Sequence, residues 1–204
     1  MEFINRIKKE MSEGIVKAIL ENYNYRVIDT GIEKVIREVS FLPIEAYNAL
    51  GFPDALRKLP DFVVMDSEQK LKLLVDVKYR SVWSSNLLLD RNIIKQVELF
   101  RELVLIVINA APPNVSPKRV NHNPVAYIRC VILSLKDGVY KVKKRNYSHK
   151  DEWIVVDENS VKKFSWFSTH TLAQVFPKIK DEYNNEIIKS AVNALSGVIN
   201  HQKS

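Results

Sequence analysis

The chain is poor in the residues that would staple or hinge a fold. It has one cysteine, Cys130, among 204 residues. An internal disulfide is excluded, and no CxxC pair offers a zinc site. Cys130 sits in the apolar run 126–135, so it reads as a small buried hydrophobe. Glycine is scarce, with five in all, and no Gly-rich loop or nucleotide fingerprint is present. The four histidines, His122, His149, His170 and His201, have no metal-binding spacing, and no Ser-His-Asp logic emerges. No stretch approaches the ~20 apolar residues that span a bilayer. The first residues lack a signal-peptide core. The expectation is a cytoplasmic protein with no membrane partner.

What is present suffices for a packed core: 46% hydrophobic and 27% charged residues. The length suits one domain, or one domain with an appendage. The net charge is +7 and the pI about 9.3, which favours polyanionic partners. The excess is concentrated. Between Lys118 and Lys150 stand nine Lys or Arg and one acid, Asp137.

Periodicity predicts a helix over 2–23. Its two stripes, Ile4-Ile7-Met11-Ile15 and Val16-Ile19-Leu20-Tyr23, point in different directions, which suggests a restart near Ser12. Asn24 follows as a left-handed C-terminal residue, then a strand over 25–29. Residues 31–59, interrupted by Pro43, Gly51 and Pro53, give no clear pattern. Strands over 61–65 and 71–78, joined by the polar turn 66–70, predict a hairpin. A helix over 89–101 with Ile93, Val97 and Phe100 inward precedes a buried strand over 103–108. Beyond a Pro/Asn loop (110–124), strands near 126–135, 138–145 and 153–156 follow, then helices about 169–176 and 180–200. The last carries a stripe of Tyr183, Ile187, Ala191, Ala194 and Val198. The fold class is α/β, a mixed central sheet flanked by helices. The expected division is a core over 1–109 and a C-terminal extension over 110–204 that completes the domain with sheet, a basic strand face and two helices.

The hairpin carries the chemistry. A turn centred between Glu68 and Gln69 sets Asp66 opposite Leu71 and Asp61 opposite Asp76. Alternation puts Asp76, Lys78 and Asp61 on one face. Directly opposed Cβ atoms lie roughly 4.5–5.5 Å apart, and like charges there destabilise a sheet. A divalent cation between the two acids reverses that sign, because Mg²⁺ takes one or two carboxylates plus water and phosphate oxygens. Lys78 adds a charge that can orient a water or neutralise a developing anion. Two acids, a lysine and a metal make a centre for phosphodiester hydrolysis.

Leu59-Pro60-Asp61-Phe62-Val63-Val64, fifteen residues before Asp76-Val77-Lys78, resembles the PD-(D/E)XK nuclease superfamily, which includes restriction endonucleases and archaeal Holliday-junction resolvases. The resemblance covers residues 12 to 108. It implies a restriction endonuclease-like core, Mg²⁺ or Mn²⁺ bound by Asp61, Asp76 and the Val77 carbonyl, and a catalytic Lys78. Many members carry a glutamate on the preceding helix, and Glu13, on a stripe with Val16 and Leu20, fits as a further metal-site acid. Gln96 resembles a Gln or Lys that some members place on the next helix. Phe100 stands where a Gln-x-x-x-Tyr subgroup has Tyr, so that subgroup is not assigned. The implied activity is DNA endonuclease, with RNA open as substrate and a homodimer implied by the resemblance alone. The alternative is a nucleic-acid-binding or assembly protein that keeps the fold without catalysis. Expected nucleic-acid contacts are Lys141, Lys143 and Arg145, alternating on one strand face, with Lys118 and Arg119 in the Pro/Asn loop. Arg80 and Trp83, where the chain leaves the Lys78 strand, complete the set, with Trp83 reading equally as a base-stacking ring or a core tryptophan.

Overall fold

The computed structural model describes residues 2–31, 39, 42–113, 124–146, 150–180 and 185–200. Helix α1 runs unbroken from Glu2 to Asn22, without the expected restart at Ser12. Intrahelical hydrogen bonds need no cap there, and the change of stripe has another cause. Only the second half, Val16, Ile19 and Leu20, packs into the core, while Phe3 and Ile4 stay exposed. The first half overhangs the sheet. Asn24 does take a left-handed φ of 58°. With the bonds Tyr25 N to Leu20 O and Asn24 N to Glu21 O it forms a Schellman end.

Seven strands follow: β1 (Arg26–Asp29), β2 (Phe62–Met65), β3 (Lys72–Arg80), β4 (Glu102–Asn109), β5 (Ile128–Lys136), β6 (Val139–Arg145) and β7 (Asp151–Val155). They form one sheet in chain order. Neighbours are antiparallel except β3 and β4, which are parallel. The parallel pair requires a crossover, supplied by α4 (Arg91–Phe100). Between β1 and β2 lie the short helices α2 (Ile44–Ala49) and α3 (Asp54–Arg57), in the stretch the sequence left unread. After β7 come α5 (Glu158–Lys162), α6 (Leu172–Val175) and α7 (Glu186–Asn200). The pattern of residues did not suggest α5. The other two are shorter than expected.

Strand alternation sorts β3 to two cores. Val75 and Val77 join Val16, Leu20, Phe62, Ile106 and the α6–α7 residues Leu172, Ile188 and Val192. On the other face Leu74 packs with Leu88, Ile93, Val97, Leu105, Val107 and Trp166. β4 is covered on both faces, with seven of its eight residues buried, as a central strand must be. Each such Val, Leu or Ile side chain contributes roughly 1.5–3 kcal/mol by burial. The stripe read for the last helix is displaced. Ile188 and Val192 are the buried residues while Ile187 is exposed and Ala194 is too. Tyr183 and the Val198 side chain lie outside the described residues. Cys130 is fully buried.

Candidate active site

The hairpin register is the one the turn dictates. Phe62 pairs with Val75, Val63 with Leu74, Val64 with Leu73 and Met65 with Lys72. Pairing stops there, and Asp61 lies one residue beyond the end of β2. It leaves the ladder and turns its side chain onto the neighbouring backbone: Asp61 Oδ2 accepts from Val77 N at 2.7 Å. The turn into β2 is fixed from β1. Thr30 N donates to Asp61 O at 3.0 Å and Thr30 Oγ1 donates to Pro60 O at 2.6 Å. A residue's N–H and C=O point to the same edge of its strand. The Val77 carbonyl therefore faces the gap that β2 has vacated, beside Asp61.

Asp76 is buried. Its Oδ1 accepts from Gln96 Nε2 of α4 at 3.2 Å, and its Oδ2 lies 2.5 Å from Lys78 Nζ. Burying a carboxylate is costly unless it is paired and hydrogen-bonded; Gln96 and the Lys78 charge offset part of that cost, while Oδ2 itself accepts no hydrogen bond among the described residues. Gln96 thus acts on Asp76 from the opposite element and does not reach past it. Glu13, also buried, has Lys9 Nζ at 3.6 Å.

These acids crowd one another. Burial, then the charges of Asp76 and Glu13, push the Asp61 carboxyl up to about 7, against the opposing pull of the Val77 N–H and Lys78. A carboxyl held this far from its ordinary range by burial and by like charges is stabilised, once ionised, by a cation placed among them. The donor set is all oxygen, two aspartates and a main-chain carbonyl, which suits a hard divalent ion. Among the described residues no three His, Cys, Asp or Glu side chains form a ready metal cluster. Glu13 shares the field of Asp61 without joining its ligand geometry.

Next to this centre is a cavity of about 380 Å³, walled by Val77 to Arg80 of β3 and by Lys8 and Lys9 of α1. Lys78 opens onto it. Lys8 Nζ lies 5.3 Å from the Tyr79 ring centroid, and Arg80 Nη1 donates to Tyr79 O at 2.8 Å. Four cations and no acid line it among the described residues. The sequence reading included Arg80 but missed Lys8 and Lys9. Their signal was available: they stand about one helical turn before Glu13, on the overhanging half of α1.

The other expected contacts are dispersed. Trp83 is corrected. Its ring packs against Trp166 at 5.1 Å and Phe164 at 6.4 Å, in the second core, because the chain leaving β3 folds down over α5. Lys141, Lys143 and Arg145 do share a face, but it is the α1 face, opposite that of Asp76 and Lys78. The pairing of Lys143 with Ile132, and of Ile132 with Val104 and Val75, fixes this. Lys143 Nζ is bound to Asp151 Oδ2 at 2.9 Å, and His170 Nε2 is 3.2 Å from Asp151 Oδ1. Burial raises the Asp151 carboxyl, but the Lys143 bond and His170 hold it below its usual range. Lys118 and Arg119 lie outside the described residues. Comparisons with protein-family models, with curated proteins and with solved structures find no match to this chain.

Proposed function

We propose that the protein is a metal-dependent nuclease with a restriction endonuclease-like core, hydrolysing phosphodiester bonds in DNA. The observation that carries the reading is the meeting of Asp61, Asp76 and Lys78 at the point where β2 leaves β3, with Asp61 pushed up to about 7 by burial and then by its acidic neighbours. A fold selected for stability alone gains nothing from that crowding. The order helix, strand, hairpin, helix, strand supports the resemblance to the PD-(D/E)XK superfamily.

Asp61, Asp76 and the Val77 carbonyl would hold Mg²⁺ or Mn²⁺, which when bound supplies Lewis-acid polarisation of a phosphate oxygen and an acidified water. The chain's own groups do the rest. Lys78, 2.5 Å from Asp76, keeps a positive charge where negative charge develops on the phosphoryl group, and it orients the attacking water. Gln96 holds Asp76 in one rotamer, so the carboxylate meets its ligand without reorganising. Lys8, Lys9 and Arg80 draw the flanking phosphates into the cavity.

The test is supercoiled plasmid and branched DNA incubated with the protein in Mg²⁺, Mn²⁺ or EDTA. Nicked or linear product in either metal, absent in EDTA, is expected. Tight, salt-sensitive binding with no cleavage in any metal would instead make the chain a binding or assembly protein.

A further inference from the structure

A second basic cavity, of about 390 Å³, lies farther across the sheet, walled by Arg129, Lys144, Arg145, Lys163 and Phe167 among others. Its origin is a second divergence of strands. Pairing between β5 and β6 runs from Lys136–Val139 to Ile132–Lys143 and stops. Beyond that point Cys130 pairs with His170 instead, through Cys130 N to His170 O at 2.7 Å and His170 N to Cys130 O at 2.8 Å. Lys144 and Arg145 continue on β7 alone. They overhang a wedge between the end of β6 and the segment before α6, and the cavity fills that wedge.

Its lining is built for an anion. Arg129 is buried. Its guanidinium is held by Nε donating to Thr169 Oγ1 at 2.7 Å and Nη2 donating to Thr169 O at 2.6 Å, with the Phe167 ring centroid 5.9 Å away. Four cations converge on the wedge, and no carboxylate lines it among the described residues. A fixed guanidinium flanked by accessible lysines suits phosphate oxygens.

Register ties this cavity to the first one. Lys78 pairs with Val107, and Val107 with Arg129. Cross-strand partners share a face, so Arg129 lies on the same row and face of the sheet as Lys78. At a strand spacing of about 4.8 Å, the two backbones are roughly 10 Å apart. Lys144 shares a face with Val142, which pairs with Leu133 of that same face.

We propose that this cavity is a phosphate-binding subsite for the nucleic acid that Lys78 acts on, taking a backbone phosphate a short distance along the strand from the reacting one. The assignment rests on the nuclease reading for its substrate, but its test does not need cleavage. Affinity for a labelled DNA duplex is measured in EDTA across a salt series, with the full chain, for wild type and for K144E/K163E. Both lysines are solvent-accessible, and a milder K144Q/K163Q pair guards against misfolding. The control is K70E/K72E, which changes net charge equally at the far end of β3. The cavity variants should bind at least about tenfold more weakly, with the salt slope shallower by about one to two; the control should stay near wild type. Equal binding by wild type and the cavity variants overturns the subsite. So does a thermal shift with inorganic phosphate that the cavity substitutions abolish while DNA affinity stays unchanged, since the cavity would then serve a free phosphorylated compound. Loss of affinity in the cavity variants alongside a wild type that cuts nothing in Mg²⁺ keeps the subsite and removes the nuclease.

Discussion

Asp61 holds its proton more tightly in the folded protein than in the unfolded chain. Its folded pKa is about 7, against an ordinary value of 3.8. The sign follows from proton linkage. Relative to the unfolded state, this group stabilises the fold fully below pH 3.8, and that contribution is lost as the pH rises toward 7. Above 7 the ionised carboxyl sits buried near Asp76 and Glu13, only partly offset by the Val77 N–H and Lys78. Asp61→Asn keeps an acceptor for the Val77 N–H and removes the charge. In metal-free buffer the variant should melt above wild type at pH 8, with the gap shrinking by pH 5. A gain of each kcal/mol raises Tm by about 2–4 °C in a chain this long. Taking the difference between the two proteins cancels His170, whose pKa burial lowers. A gap independent of pH would show that Asp61 is not the crowded group. Mg²⁺ at pH 8 should raise the Tm of wild type and leave the variant unmoved.

At the scale of elements, the hairpin was legible because everything that sets it is local. The polar turn fixes the register, and alternation then fixes which residues face which. Gln69, with a φ of 56°, supplies the left-handed turn residue. The pairs Phe62–Val75 to Met65–Lys72 follow, and with them the approach of Asp61 to the Asp76 strand. Helix α4 was legible too, through Ile93 and Val97. What the sequence hid depends on distant partners. Whether the Ile4–Ile7 stripe packs or overhangs is decided by how far the sheet reaches beneath α1. The buried face of α7 is set by α1 and by the turn Pro124–Ala126, so Ile188 displaced Ile187. Trp83 was ambiguous because Trp166, its main neighbour, lies 83 residues away in the chain. The wedge beyond Lys143 depends on a bridge from Cys130 to His170, which no local pattern announces. One element-scale consequence concerns α4. Asp90 caps it, with Oδ1 accepting from Asn92 N at 2.8 Å. Asp90→Ala should cost about 1 kcal/mol, read as a Tm lower by a few degrees. No change in melting would mean the cap does not secure the helix that carries Gln96.

Over the whole molecule, charge and topology point the same way. The net charge of +7 is gathered partly into two basic cavities, each at a place where one strand stops pairing with its neighbour. Both lie toward the end of the sheet that bears Lys78 and Arg129. Positive fields focused by such concavities raise the local concentration of a polyanion. No helix among the described residues is long and apolar enough to cross a membrane. The carboxylate pair lies beside the first cavity, so on the proposed reading the chemistry belongs there and the second cavity only binds. That division makes the central claim separable from simple DNA binding. The measurement that tests it most directly is the cleavage rate of supercoiled plasmid in Mg²⁺ and in EDTA, for wild type and Asp76→Asn side by side, with binding checked in parallel. The account predicts metal-dependent cutting by wild type and a loss of at least about 100-fold in the variant, with DNA affinity retained. Cutting by Asp76→Asn at the wild-type rate, or cutting by wild type that persists in EDTA, would contradict it.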